Sequence, residues 1–257
     1  MKTERITVFY FSPTGGTEKV ARLIGKALEG SADISYADIT VPEYDMYGFT
    51  DNAAAVFCVP VYGGRVPAPM AERISRVSGV DTPAALAAVF GNRAVDDALC
   101  ELRDMLRPQG FKTIAAGEFV APHSLNESFG SGRPDAADER VIAEFAARFL
   151  EKMKNDELDE ITVPGSAAYR AYSGVPVKPS VHTLKCVRCG VCAANCPVGA
   201  IDLINPANTE KSTCISCMRC VHICPRGARY VPTVMKAAVT LKLREYCSGR
   251  KEDKLYF

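Results

Sequence analysis

The first 155 residues alternate between runs of β-branched or aromatic residues and amphipathic stripes. Residues 6–11, from Ile6 to Phe11, are too uniformly apolar for an edge and predict a buried parallel strand. Val20, Leu23, Ile24, Ala27 and Leu28 then recur at helical spacing on one face. Further strands are predicted near 34–38, over 53–61, around 84–90 and over 111–121. Helices follow the last two, one carrying Leu99, Leu102 and Leu106, the other Ile142, Phe145, Ala146, Phe149, Leu150 and Met153. Such alternation predicts an α/β domain over 1–155, a doubly wound five-stranded parallel sheet. Periodicity then stops. Residues 156–180 collect Pro164, Gly165, Gly174, Pro176 and Pro179, the composition of a linker draped over a domain surface. Beyond 232, Val234, Ala237, Ala238 and Leu241 predict a helix, and the tail Lys254-Leu255-Tyr256-Phe257 ends in apolar residues expected to dock.

Composition narrows the setting. An apolar content of 47% is ample for a core at 257 residues. The start is polar and no apolar run approaches a membrane span, so the expected location is the cytoplasm, where thiols stay reduced. Charge is uneven: 17 Lys and Arg face 21 Asp and Glu through residue 155, whereas 14 face 9 beyond it. Lys185, Arg188, Arg219 and Arg226 sit among the cysteines of that basic half, where they would offset negative metal centres or guide a redox partner. No basic stripe interleaved with aromatics points to nucleic acid.

Eight of the eleven cysteines form two copies of one pattern. Cys186-Val187-Arg188-Cys189-Gly190-Val191-Cys192-Ala193-Ala194-Asn195-Cys196-Pro197 is followed by Cys214-Ile215-Ser216-Cys217-Met218-Arg219-Cys220-Val221-His222-Ile223-Cys224-Pro225, and Gly199-Ala200 is matched by Gly227-Ala228. Disulfides are disfavoured without a secretory signal, and zinc normally takes two separated Cys pairs closing one tetrahedron. The pattern resembles the bacterial two-cluster ferredoxin run, in which the fourth cysteine of each copy ligates the other cluster. That resemblance implies Cys186, Cys189, Cys192 and Cys224 on one 4Fe-4S cluster, and Cys214, Cys217, Cys220 and Cys196 on a second. Cys58, Cys100 and Cys247 are left as ordinary buried or partly buried residues.

Between the first strand and its helix stands Ser12-Pro13-Thr14-Gly15-Gly16-Thr17. A hydroxyl-rich glycine turn at a helix N-terminus is a phosphate cradle, because free N–H groups and the positive dipole end face the anion. It lacks the lysine of a nucleoside triphosphate loop and the spacing of a dinucleotide loop. The segment resembles the flavodoxin phosphate loop, which implies FMN held by hydroxyls and amides. Pro60-Val61-Tyr62-Gly63-Gly64 then takes the place of the first flavin-ring loop, with Tyr62 expected to stack on the ring. Gly91-Asn92-Arg93 takes the place of the second; Asn92 would reach the pyrimidine edge or merely form the turn. This loop departs from the flavodoxin pattern in lacking an aromatic, so one ring face is open or covered by another part of the chain. His123-Ser124 ends the fifth strand at the same edge, where His123 would touch the flavin or donate a proton, or simply hydrogen-bond its loop. Arg133 would contact phosphate or cap the surface.

Taken together, the two halves resemble the ferredoxin-fused flavodoxin family of anaerobic bacteria. The resemblance implies a flavodoxin-like domain (1–155), a linker (156–180), a small α+β ferredoxin domain with two 4Fe-4S clusters (181–232), and a C-terminal helix and tail (233–257). It implies FMN, redox partner proteins or a small-molecule electron donor or acceptor, and no nucleic acid or membrane span. An electron-transfer protein coupling one- and two-electron partners is the first expectation. An FMN-dependent oxidoreductase fed through the ferredoxin half, with His123 as proton donor, is the alternative; a redox sensor has no supporting element.

Overall fold

Strands covered by helices on both faces have no solvent side, and the central strand-forming runs 53–60 and 82–90 are accordingly apolar, whereas the edge run 33–38 alternates polar and apolar residues. A computed structural model describes residues 3–42, 46–49, 52–172, 174 and 177–257. β1 (Arg5–Tyr10) leads to α1 (Gly16–Leu28), β2 (Asp33–Asp38), β3 (Tyr47–Gly48), β4 (Ala53–Pro60), α2 (Met70–Ile74), β5 (Val77–Ser78), β6 (Thr82–Phe90), α3 (Ala98–Leu106), β7 (Phe111–Val120) and α4 (Ala136–Lys154). The cysteine-rich half adds β8 (Ser180–Val181), α5 (Val191–Ala194), α6 (Arg219–His222), β9 (Arg229–Tyr230), α7 (Thr233–Cys247) and β10 (Lys254–Tyr256). The main sheet runs β10-β7-β6-β4-β1-β2, and its parallel strands thus follow the flavodoxin-like 2-1-3-4-5 order. Every residue of the central β6 is buried.

Two cores flank the sheet. Phe9, Phe57 and Phe111 pack one face, with Phe9 and Phe57 stacked at 4.9 Å; Ile24, Phe119, Phe145 and Phe149 pack the other beneath α1 and α4. α4 begins with a capping box in which the Asp135 side chain accepts from the backbone of Ala137 and Asp138. The linker drapes over the first domain as its composition suggests: Ile161 N–H donates to Thr113 O at 2.8 Å, and Tyr169 Oη donates to Asp104 at 2.6 Å. Pro176 lies outside the described residues.

The C-terminal region departs from expectation. The sheet has six strands rather than five, because β10 pairs antiparallel to β7, with Leu255 opposite Gly117. Three residues are too few to show a period, so the sequence gives only the apolar tail. Arg133 neither binds phosphate nor caps the surface; it is buried, paired with Asp138 and Asp253, and donates to Lys251 O at 3.0 Å. Asp253 Oδ1 in turn accepts from Val120 N–H at 2.9 Å. Residues 248–257 are therefore built into the first domain instead of forming a separate tail. α7 forms where periodicity places it, yet Val234 and Leu241 of the expected stripe are 82% and 71% exposed, while Val239 and Leu243 are half-buried.

In the cysteine-rich half, β8 and β9 form a two-stranded antiparallel pair, and the short α5 and α6 each contain the third cysteine of a run. Among the described residues no helix is long and apolar enough to cross a membrane.

Candidate functional site

Open parallel sheets bind ligands at the carboxyl ends of their strands, where strand order reverses. A cavity of about 310 Å3 occupies that place, at the ends of β1, β4, β6 and β7. Ser12, Thr14, Gly16 and Thr17 line one side. Ser12 is fixed twice: its N–H donates to Thr40 Oγ1 and its Oγ accepts from Glu18 N–H, both at 2.8 Å. Gly15 takes a left-handed φ of 87° at the start of α1 and shapes the turn without lining the cavity. At Gly16 an added Cβ would lie 3.1 Å from the Ala121 Cβ, so a glycine keeps α1 close to the end of β7. Lys19, on the first turn of α1, donates to Pro134 O at 2.8 Å.

Pro60, Val61, Tyr62, Gly63 and Gly64 line the second side. Tyr62 and Arg65 exchange backbone hydrogen bonds at 2.9 and 3.2 Å, and the two glycines between them turn left-handed. Arg65 grips Glu101 through two bonds of 2.6 and 2.7 Å, and Glu101 also accepts from Val66 N–H, which fixes the loop from behind. Burial, with Cys217 and Tyr172 close by, pushes the Tyr62 hydroxyl well above its usual pKa.

Gly91, Arg93, His123 and Ser124 line the third side. A Cβ on Gly91 would lie 2.7 Å from the His123 ring, so only glycine lets the two loops meet. Arg93 is paired with Asp96; burial and then the Arg170 charge hold its pKa below the usual value. His123 Nδ1 accepts from Leu125 N–H at 3.2 Å, which assigns the ring proton to Nε2. Burial and then the Arg93 charge lower its pKa to about 4. This shift favours the uncharged imidazole, whose Nε2–H is the available donor. Asn92 is buried and does not line the cavity; it donates to Cys247 O and Gly249 O at 2.6 and 2.8 Å, and accepts from Lys251 N–H at 3.2 Å. Its polar atoms hold the C-terminal segment.

Sequence reasoning did not bring to this wall Gly174 and Val177 of the linker, Ser216 within the second cysteine run, or Val239, Lys242 and Leu243 of α7. Each arrives through tertiary packing of a distant segment.

The cysteines surround two further cavities. Cys186, Cys189, Cys192 and Cys224 line one; Cys214, Cys217, Cys220 and Cys196 line the other. In both copies of the repeat the fourth sulfur accepts a backbone N–H at 3.3 Å, Cys196 from Ala200 and Cys224 from Ala228. Burial would raise the Cys224 thiol, but the N–H groups of Arg229, Arg226 and Ala228 outweigh it and lower its pKa. Burial instead pushes the Cys217 and Cys220 thiols up to about 12. Among the described residues no three His, Cys, Asp or Glu side chains close on a single ion.

The second of these cavities abuts the first domain. Arg219, in the second cysteine run, donates to Ser12 O and Pro13 O at 3.3 Å. The buried Arg73 donates to Pro197 O, next to Cys196, at 2.7 Å. Every residue lining the other cysteine cavity comes from 186–229.

Residues 185–228 match the family described as a 4Fe-4S dicluster domain. No curated protein matches the chain. Among solved structures, a flavodoxin from the domain Archaea is 14% identical over 58% of this chain and 99% of its own, with a TM-score of 0.42. A flavodoxin of Streptococcus pneumonia TIGR4 is 15% identical over 58% and 99%, at 0.41. A Fusobacterium nucleatum flavodoxin bound to flavin mononucleotide is 13% identical over 60% and 98%, at 0.40. The strand order carries the fold independently of these likenesses.

Proposed function

We propose that this chain, a flavodoxin-like domain joined to a 4Fe-4S dicluster domain, relays electrons between FMN and two 4Fe-4S clusters and so couples one-electron to two-electron redox partners. When bound, FMN supplies two-electron chemistry and each cluster passes electrons singly. Ser12, Thr14, Gly16 and Thr17 would hold the phosphate through hydroxyls and N–H groups, aided by the positive end of α1. Tyr62 would wall one ring face, and neutral His123 would donate a hydrogen bond through Nε2. The eight cysteines would divide between two clusters as they divide between the two cavities.

One observation carries this reading. Ser216, between Cys214 and Cys217, lines the same cavity as Tyr62 and the phosphate loop, so the second cysteine set stands directly at the proposed flavin site. The first set would then be the outer station, with Cys189 exposed. Covalent joining keeps the two redox sites at high effective concentration.

An anaerobic reductive titration of cluster-replete protein tests the proposal, with iron, FMN, visible absorbance and electron paramagnetic resonance measured together. About eight iron atoms and one FMN per chain, with both signals responding, are expected. Full iron with no FMN after supplementation would sink the flavin half.

A further inference from the structure

The second ring loop brings no aromatic beyond Phe90 at the strand end, and part of the cavity wall comes instead from the far end of the chain. Val239, Lys242 and Leu243 of α7 line the cavity beside Gly91, Arg93 and Leu125. The helix is fastened across these loops at two points. Asn126 Nδ2 donates to Thr240 Oγ1 at 2.9 Å, next to Leu125, and Asn92 Nδ2 donates to Cys247 O, between Gly91 and Arg93 in sequence.

The helix also has a definite orientation. Val239, Leu243 and Cys247 recur every four residues and are half-buried, half-buried and buried. Val234 and Leu241, on the opposite side, stand in solvent. α7 thus turns one apolar pair into the cavity and leaves comparable residues in water.

Resting on the flavin reading above, we propose that α7 covers the ring face away from Tyr62, with Val239 and Leu243 as flavin-binding residues in place of the missing loop aromatic. An isoalloxazine face is apolar and extended, and two branched side chains on adjacent turns present a matching surface. Tyr62 and α7 would then hold the ring between them, in a cavity that Ser216 also lines.

The test is FMN binding to full-length, cluster-replete, flavin-free protein, followed by flavin fluorescence. Val239→Asp and Leu243→Asp should each raise the Kd of FMN about tenfold or more, as expected for losing one apolar side-chain contact. Val234→Asp and Leu241→Asp place the same charge on the solvent side of the same helix; they should stay within about twofold of the parent, as surface changes do. Circular dichroism and iron content report whether each variant is folded. Leu243→Ala removes the contact without a charge and should also weaken binding, so the test survives if an aspartate unfolds the helix. Parent-like affinity in the folded inward variants would overturn the cover. A parent protein that binds no FMN would instead overturn the flavin reading itself, and the cover with it.

Discussion

Removing the Asn92 side chain distinguishes a structural clamp from a cofactor ligand. Asn92 is 4% exposed and satisfies three backbone groups of the C-terminal segment: Cys247 O, Gly249 O and Lys251 N–H. Cys247 is buried, so in Asn92→Ala its carbonyl loses its partner away from water, which costs about 1–3 kcal/mol. Gly249 is exposed and Lys251 half-buried, so those groups recover partners from solvent and add about 1 kcal/mol together. The sum, about 2–4 kcal/mol, corresponds at this chain length to a fall of roughly 5–12 °C in melting temperature. Melts of anaerobic, cluster-replete, flavin-free protein at a fixed scan rate measure it, and limited proteolysis around 248–253 reports whether the segment has come loose. A melt within about 1 °C of the parent, well short of that fall, together with unchanged proteolysis would refute the clamp. So would a loss seen only when FMN is present.

Two further predictions concern charge and ligation. Burial, only partly offset by the Val120 N–H, raises the Asp253 carboxyl to about 6. Its contribution to stability is therefore complete below the ordinary carboxylate pKa and is lost as pH rises through 6; subtracting the melting profile of Asp253→Asn from that of the parent should reveal this fall between pH 4 and 7. Crossed ligation predicts that Cys224→Ser disturbs the cluster bound by Cys186, Cys189 and Cys192, whereas Cys196→Ser disturbs the one next to Ser216; electron paramagnetic resonance of the reduced variants separates these, and loss of the same-run cluster in each would sink the assignment.

Local patterns made most of this molecule legible. Strands β1, β4, β6 and β7 are apolar runs bounded by turn residues, and the order of their loops at one sheet edge follows from alternation with helices. The turn from Ser12 to Thr17 could be placed because strand, turn and helix are contiguous in sequence, and the cysteine cassette because its spacing is regular. What stayed hidden depends on distant partners. Asn92 looks the same in sequence whether it faces a ring or carbonyls 155 and 157 residues away. α7 carries apolar residues on two sides, and only the position of the cavity decides that Val239 and Leu243 face inward. Arg133 is a buried ion-pair centre because Asp253 arrives from the end of the chain.

The return of the chain to β7 bears on biogenesis. β10 is translated after the whole cysteine cassette, and its Tyr256 reaches Glu118 at a sequence separation of 138. A contact of such separation forms late, since a long loop must close before it is rewarded. A cassette folded around its metal draws the two ends of that loop together. A cassette starved of iron leaves the segment loose and the outer edge of β7 unpaired, a template for another chain. Iron supply is thereby expected to govern solubility of the flavodoxin-like half as well as its redox wiring, and light scattering of protein made with and without iron would reveal the difference.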